Sequence, residues 1–138
     1  MSDLRTTALN FFEACESGQG WQACRPYCHD DAAFSVQAES LAAYKDVSGY
    51  SDHMPELMIT LPDAHYKLQC VAVNDASQTV MVYALFCGTH TGPGGPVAPT
   101  GKYIEADYAF IMEMKDGKVA KVTKIWNDMY SIKELGWC

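Results

Sequence analysis

The sequence has little positive charge and no long hydrophobic run. Its 138 residues include 10 Lys and Arg against 17 Asp and Glu, which gives a formal net charge of −7. Nucleic-acid binding depends on Lys and Arg contacts with phosphates, and the arginines here are only Arg5 and Arg25. No apolar stretch approaches the ~20 residues of a membrane helix, and the first residues form no hydrophobic signal core. We therefore expect a cytoplasmic protein without nucleic-acid or membrane partners.

Familiar signatures of hydrolytic and metal chemistry are also missing. Neither Gly-x-Ser-x-Gly nor His-Glu-x-x-His occurs, which argues against an ordinary serine hydrolase or zinc protease. The segment Cys24-x-x-x-Cys28-His29 has one half of a zinc-ligand spacing, but no second Cys or His pair completes it. We expect reduced cysteines, as is usual in a cytosol, and no metal site.

The chain has an ordinary globular composition, with 49% hydrophobic and 20% charged residues, and its periodicity changes half-way. Apolar residues at helical spacing predict helices at Leu4–Cys15, Trp21–Cys24 and between Lys45 and Thr60. Strand-forming residues bounded by turns predict strands at Phe34–Val36, Tyr66–Val73, Thr79–Cys87, Tyr103–Met114 and Lys118–Trp126. Helices followed by antiparallel strands indicate one α+β domain over residues 1–138, with a curved sheet folded over helices.

The clearest local signal is Asp116-Gly117, a pair typical of a two-residue hairpin turn. With Lys115 opposite Lys118, a regular register places Ile125 opposite Tyr108, Asn127 opposite Ala106 and Asp128 opposite Glu105. Because side chains alternate between faces, the more apolar face of this hairpin should point inward. Its members are Tyr108, Phe110, Met112, Met114, Val119, Thr123, Ile125 and Asn127. The face predicted to point outward, unless a bulge re-aims Asp128, holds Glu105, Asp107, Ile111, Glu113, Val122, Lys124, Trp126 and Asp128.

A histidine and a set of apolar side chains complete the candidate site. His90 ends a predicted strand within Gly88-Thr-His-Thr-Gly92, where it could act as an acid, a base or a donor, or simply bond its neighbours' backbone. The apolar residues are first of all core, although in a pocketed fold some also form the pocket wall. The candidates for that wall are Phe11, Phe12, Cys15, Phe34, Met54, Met58, Phe86, Phe110, Met112 and Ile125.

Several motifs in the last fifty residues carry a resemblance to a known family. They are Gly88–Gly92, Pro99-Thr-Gly-Lys102, Asp116-Gly-Lys118, Trp126-Asn-Asp-Met and Leu135-Gly136. Together they resemble the SnoaL-like polyketide cyclases, within the nuclear-transport-factor-2-like or ketosteroid-isomerase-like superfamily. The resemblance implies a cone-shaped, cystatin-like antiparallel sheet wrapped around N-terminal helices, an apolar pocket, and a homodimer paired through the sheets. The apolar residues expected in that contact are Ile111, Val122 and Trp126.

The resemblance also implies a reaction, namely aldol ring closure of a polyketide without metal or cofactor. An acid at the end of the last strand moves the proton next to a carbonyl in such cyclases, and its position falls here on Asn127, with Asp128 following. An amide accepts no proton, but it can donate hydrogen bonds to an enolate oxygen.

Two functional hypotheses follow. In the first, the protein is an enzyme that cyclises or isomerises an apolar, carbonyl-bearing small molecule. Asn127 would polarise the carbonyl, Asp128 or His90 would move the proton, and Tyr108 would donate a second hydrogen bond. In the alternative, the protein is a non-catalytic ligand-binding or dimerising module of the same fold. A pocket without an inward carboxylate or histidine would favour that alternative.

Overall fold

A computed structural model describes residues 3–138; Met1 and Ser2, which belong to the predicted domain of residues 1–138, lie outside the described residues. Four helices accompany one curved sheet, which confirms the predicted α+β class. The helices are α1 (Leu4–Glu16), α2 (Trp21–Cys24), α3 (Val47–Thr60) and α4 (Asp128–Glu134). The strands are β1 (Cys28–Val36), β2 (His65–Asn74), β3 (Thr79–Thr89), β4 (Tyr103–Lys115) and β5 (Lys118–Trp126). Among residues 3–138, no helix combines the length and the apolarity needed to cross a bilayer.

The strand order in the sheet is β1-β5-β4-β3-β2. The strands β2 to β5 pair antiparallel, as predicted, whereas β1 lies parallel to β5. β1 is also longer than the predicted Phe34–Val36, since it starts at Cys28. The first part of β1 has few side chains that favour a strand. Pairing with β5 holds it in the extended conformation instead.

The first helix packs on the inner side of the sheet through the apolar stripe expected from the sequence. Ala8, Phe11, Phe12 and Cys15 are all fully buried, and the ring of Phe12 meets that of Phe110 edge-on at 5.1 Å between centroids. Full burial of such a side chain stabilises the fold by ~1.5–3 kcal/mol. This aromatic contact therefore fixes α1 against the centre of β4.

The last hairpin turns as predicted, with Lys115 opposite Lys118 and positive φ angles at Asp116 and Gly117. The register then shifts, because Met114 pairs with Val119 whereas Glu113 pairs with Lys121. Ala120 is thus an extra residue on β5, a β-bulge. A regular strand would place Val119 and Val122 on opposite faces, and the bulge allows both to be fully buried.

The bulge reverses the predicted faces of β5 beyond Ala120. Tyr108 lies opposite Trp126, and not opposite Ile125 as the regular register predicted. Lys124 is buried and Ile125 is 59% exposed, so the predicted inward position of Ile125 is wrong. A shift of one residue moves every later side chain to the other face of the sheet, which is the reason for this error.

The hairpin turn gives a first prediction. Gly117 has φ +79°, in the left-handed region that side chains with a Cβ avoid. Gly117→Ala should destabilise the protein by about 1–2 kcal/mol, measured by urea unfolding. Asp116→Asn is the matched control, because Asn-Gly suits the same turn, and it should change stability by less than about 0.5 kcal/mol. Equal stability of the Gly117→Ala variant and the wild type would contradict this account of the turn.

Candidate functional site

A cavity of about 440 Å³ opens between α3, the inner face of the sheet and the C-terminal segment. Its wall is mostly apolar, as is usual for small-molecule sites. Met54, Leu57 and Leu61 form the side that belongs to α3 and its end, and Ile132, Leu135 and Trp137 form the C-terminal side. The polar side chains in the wall are Ser40, His53, Tyr108, Lys124 and Ser131.

Lys124 begins a buried chain of hydrogen bonds that leads away from the cavity. Its Nζ donates to the Tyr50 hydroxyl at 3.0 Å, and that hydroxyl donates to Oε2 of Glu16 at 2.9 Å. Tyr50 and Glu16 are fully buried and Lys124 is 9% exposed. Burial lowers the pKa of Lys124, and the Glu16 carboxylate opposes part of that shift. Burial, reinforced by Glu16, raises the pKa of Tyr50, so this phenol stays protonated.

Three aromatic rings surround the Lys124 amine. Its Nζ lies 4.6 Å from the ring centre of Trp126, 5.1 Å from that of Tyr50 and 5.3 Å from that of Tyr108. Aromatic faces attract a cation within about 6 Å, and the attraction is strongest where water is excluded. The cage therefore holds the amine in place and offsets part of the cost of burying its positive charge.

Tyr108 has a buried hydroxyl that makes no direct hydrogen bond within residues 3–138, although the Glu16 carboxylate, whose Oε1 is likewise unbonded, lies near it. Its side chain is 3% exposed and lines the cavity, and its hydroxyl has no hydrogen-bond partner among the described residues. Burial raises the pKa of Tyr108, and the nearby Glu16 carboxylate raises it further. The hydroxyl is therefore a protonated donor at neutral pH. A buried donor left unpaired costs about 1–3 kcal/mol, which a close acceptor would recover.

His53 on α3 contributes an imidazole to the cavity wall. Its Nδ1 lies 3.2 Å from the Tyr44 hydroxyl, a contact that orients the imidazole. Burial lowers the pKa of His53, the positive Lys124 lowers it further, and Glu56 partly opposes both. The ring is therefore neutral at pH 7, and a neutral imidazole has one nitrogen that can accept a proton.

The sequence profile of the SnoaL-like polyketide cyclases matches residues 6–135, nearly the whole chain. The chain belongs to this family. No curated protein sequence matches it.

Solved structures agree on the fold of this SnoaL-like protein. IdmH from Streptomyces antibioticus, a proposed polyketide cyclase, superposes with a TM-score of 0.80 at 20% identity, over 98% of this chain and 99% of that one. TsrD from Streptomyces laurentii superposes with a TM-score of 0.76 at 15% identity, over 100% of both chains. AclR from Streptomyces galilaeus, a proposed hydroxylase, does so with a TM-score of 0.75 at 16% identity, over 98% and 82%. At these identities the likeness shows the fold alone.

His90 lies behind the cavity wall of the SnoaL-like fold. It is fully buried, and its Nδ1 accepts from the Trp137 indole at 2.9 Å and from the Thr100 amide at 3.3 Å. Both donors point at Nδ1, so this nitrogen acts as an acceptor, while Nε2 is buried without a hydrogen-bond partner in the described part of the chain. His90 thereby positions Trp137, which lines the cavity, while its own ring is not part of the lining.

Asn127 and Asp128 lie at the start of α4, a helix that the strand pattern did not predict. Asn127 is exposed and caps this helix, since its side chain accepts from the Tyr130 amide at 3.2 Å. The predicted inward position of Asn127 is therefore wrong, because β5 has shifted register and ends at Trp126. Asp128 is buried, and its Oδ2 accepts from the amide of Ser40, a residue of the cavity wall.

The predicted wall residues divide into three groups. Met54 and Phe86 line the cavity, together with the predicted donor Tyr108. Ile125 faces away from it, and Met58 is partly buried at the edge of the core. The remaining six are buried in the main core and do not line the cavity: Phe11, Phe12, Cys15, Phe34, Phe110 and Met112.

The segment Cys24-x-x-x-Cys28-His29, which has one half of a zinc-ligand spacing, takes part in the packing of the fold. Cys24 and Cys28 are buried in the core, and Nε2 of His29 lies 2.6 Å from the Lys115 carbonyl. Over residues 3–138, no three His, Cys, Asp or Glu side chains are grouped so that they could hold a metal ion, and the cysteines are free thiols.

Sequence reasoning missed the polar groups Lys124, Tyr50, Glu16 and His53. The regular register of β5 predicts that Lys124 points outward, and only the bulge brings it in. A signal did exist, since Val119 and Val122 cannot both be buried on an unbroken strand. Glu16 follows Cys15 at the end of a helix, and no local pattern marks it as buried beneath Tyr50.

Asp128 gives a prediction with a pH dependence. Burial tends to raise the pKa of Asp128, but hydrogen bonds from Ser40 and from nearby backbone amides outweigh it, and the pKa is lowered. A lowered pKa in the folded state means that the ionised carboxylate stabilises the fold at neutral pH. That contribution is lost as pH falls below about 4.

Asp128→Ala should therefore lower the free energy of unfolding at pH 7 by about 1.5–3 kcal/mol, and the difference from wild type should shrink at pH 3. Urea unfolding at the two pH values measures both effects. Asp31→Ala, at an exposed position, is the control and should have little effect at either pH. A difference that grows on acidification would refute the assignment.

Proposed function

We propose that this protein binds an apolar, carbonyl-bearing small molecule in the cavity and catalyses proton transfer at the carbon next to the carbonyl, as in an aldol cyclisation or an isomerisation. The observation that carries the proposal is a mostly apolar cavity whose wall brings together Tyr108, whose hydroxyl makes no direct hydrogen bond to any described residue, and the imidazole of His53. A ligand carbonyl would satisfy this donor and place its carbon skeleton against Met54, Leu57 and Phe86. Side chains alone would perform the chemistry.

The roles differ from those expected from the sequence. Tyr108 keeps its predicted role and donates to the carbonyl oxygen, where it stabilises the developing enolate. His53 accepts the proton, since its neutral imidazole lies in the same wall. His90 and Asp128 become positioning residues, which hold Trp137 and Ser40 in the wall. Asn127, exposed at the helix cap, has no part in the proposed reaction.

A histidine in the cavity wall favours the enzyme over the binding module. A cavity without an inward carboxylate or imidazole would hold a ligand without the means to move its protons, and His53 supplies those means. The proposed cyclase IdmH and the proposed hydroxylase AclR share the fold, so the fold itself does not decide between reactions.

Tyr108→Phe tests this proposal. The variant keeps the ring and removes the donor, so a bound aromatic ketone should lose about 0.5–1.5 kcal/mol of binding energy, or roughly 2- to 12-fold in Kd. Exchange of the ketone's α-protons in D2O, followed by NMR, should slow by about 100-fold or more.

Tyr103→Phe is the matched control, because this exposed tyrosine donates its hydroxyl to Glu105 on the outer face of the sheet. It should bind and exchange as the wild type does. The proposal fails if the wild type exchanges no α-protons in any member of a panel of aromatic and steroid-like ketones. It also fails if Tyr108→Phe exchanges them at the wild-type rate.

We also propose that the partner in solution is a second copy of this chain. The sheet's outer face carries an apolar patch made of Met81, Tyr83, Leu85, Ile111 and Ile125, brought together by the pairings Met81↔Ile111 and Ala109↔Ile125. Val122 and Trp126, predicted for this contact, point inward instead because of the bulge. Lys67 and Glu105 supply both signs of charge nearby, which suits a self-complementary contact.

Sedimentation should show a dimer at micromolar concentration, and Ile125→Lys should shift it to a monomer because a charge would be buried in the contact. Ile59→Lys is a matched control, since Ile59 and Ile125 are both 59% exposed and Ile59 lies on α3, away from the patch. A wild-type monomer at this concentration would contradict the proposal, as would equal effects of the two variants.

A further inference from the structure

The cavity holds a nucleophile as well as a hydrogen-bond donor. Lys124 lines the cavity and is 9% exposed, whereas a lysine usually keeps its ammonium group in water. Among residues 3–138, no carboxylate contacts its Nζ directly, because the Tyr50 hydroxyl stands between Lys124 and Glu16. The amine therefore lacks the direct ion pair that would hold it permanently charged.

The chain from Lys124 to Glu16 can carry a proton away from the amine. The Lys124 ammonium passes a proton to the Tyr50 oxygen at 3.0 Å, and the same hydroxyl passes its own proton to Oε2 of Glu16 at 2.9 Å. The products are a neutral amine, an unchanged phenol and a neutral carboxylic acid. This transfer removes two separated charges from a buried region where charges are costly, which favours the neutral amine. Desolvation, which lowers the pKa of Lys124, acts in the same direction.

We propose that Lys124 forms an imine with the carbonyl carbon of its ligand, so that the substrates are apolar aldehydes and ketones activated covalently. The amine nitrogen adds to the carbonyl carbon, and the resulting carbinolamine loses its oxygen as water. Overall, the ammonium form of the lysine and the carbonyl compound give a protonated imine and one water molecule, so atoms and charge balance. Tyr108 donates to the departing oxygen from the same wall.

The aromatic cage fits the product of this step. A protonated imine carries its positive charge at the position of Nζ, within 4.6–5.3 Å of the ring centres of Trp126, Tyr50 and Tyr108. Cation–π attraction therefore stabilises the protonated imine as it does the ammonium. Loss of an α-proton from the imine to His53 gives an enamine, whose carbon can attack a second carbonyl in the same molecule. Water then cleaves the imine and frees Lys124.

This inference rests on the proposed function, since it specifies how the same cavity would activate a carbonyl. The test is reductive trapping with 2-naphthaldehyde as the probe, at near-stoichiometric concentration with cyanoborohydride at pH 7, followed by peptide mapping. The wild type should gain one naphthylmethyl group at Lys124, at least tenfold faster than at any surface lysine. Lys124→Arg keeps a cation in the cage and should lose this label, whereas Lys121→Arg, at an exposed position on β5, should keep it.

Tyr50→Phe adds a readout of the proton path. It removes the relay between Lys124 and Glu16 and should slow trapping at Lys124 severalfold at pH 7, with partial recovery at higher pH. Labels spread over surface lysines, with none favoured at Lys124 in the wild type, would overturn the imine. If α-proton exchange of aromatic ketones still depended on Tyr108 in that case, the proposed function would stand without it. Absence of both trapping and exchange would remove both proposals.

Discussion

The buried hydrogen-bond chain from Lys124 through Tyr50 to Glu16 is the constraint on which the candidate site depends. Its members come from β5, α3 and α1, so the chain is complete only when these three elements are packed together. Removing one partner of a buried charge pair typically costs ~3–5 kcal/mol, because the other charge stays buried without compensation. The stacking of Phe34 on Tyr50, with centroids 4.3 Å apart, fixes the middle member of the chain. This hydrogen-bond chain therefore joins the helices to the sheet and also provides, through Lys124, the polar end of the cavity.

The bulge at Ala120 is what brings Lys124 into that chain. Without it, the register set by Asp116-Gly117 would turn Lys124 to the outer face and Ile125 to the cavity. The bulge is favoured because it buries both Val119 and Val122, each worth ~1.5–3 kcal/mol. Against this gain stand the exposure of Ile125 and the desolvation of Lys124, and the aromatic cage and Tyr50 reduce the second cost.

The features that the sequence predicted well are those fixed by neighbours along the chain. The stripe Ala8, Phe11, Phe12 and Cys15 follows from helical spacing, and the last hairpin turn follows from Asp116-Gly117. The features it did not predict depend on distant partners. Lys124 and Tyr50 are 74 positions apart, and the acceptor role of His90 requires Trp137, 47 positions later. A local sequence pattern carries no information on such distant pairs. One extra residue in β5 is therefore enough to reverse the predicted orientations of Asn127, Ile125 and Lys124.

The polar residues near the ends of strands have a different task from those inside the elements. Thr100 donates from its hydroxyl to the Leu135 carbonyl at 2.7 Å, and the Gly92 amide donates to the Thr60 carbonyl at 3.0 Å, so the loop of residues 91–101 is tied to both α3 and the C-terminal segment. A Cβ at position 92 would lie 1.9 Å from the Ile59 carbonyl oxygen, and only glycine allows this approach. These bonds close the cavity by satisfying loop backbone, as His90 and Asp128 do. The groups proposed to act on a ligand, Tyr108, Lys124 and His53, come instead from β4, β5 and α3, where these three elements meet at the cavity.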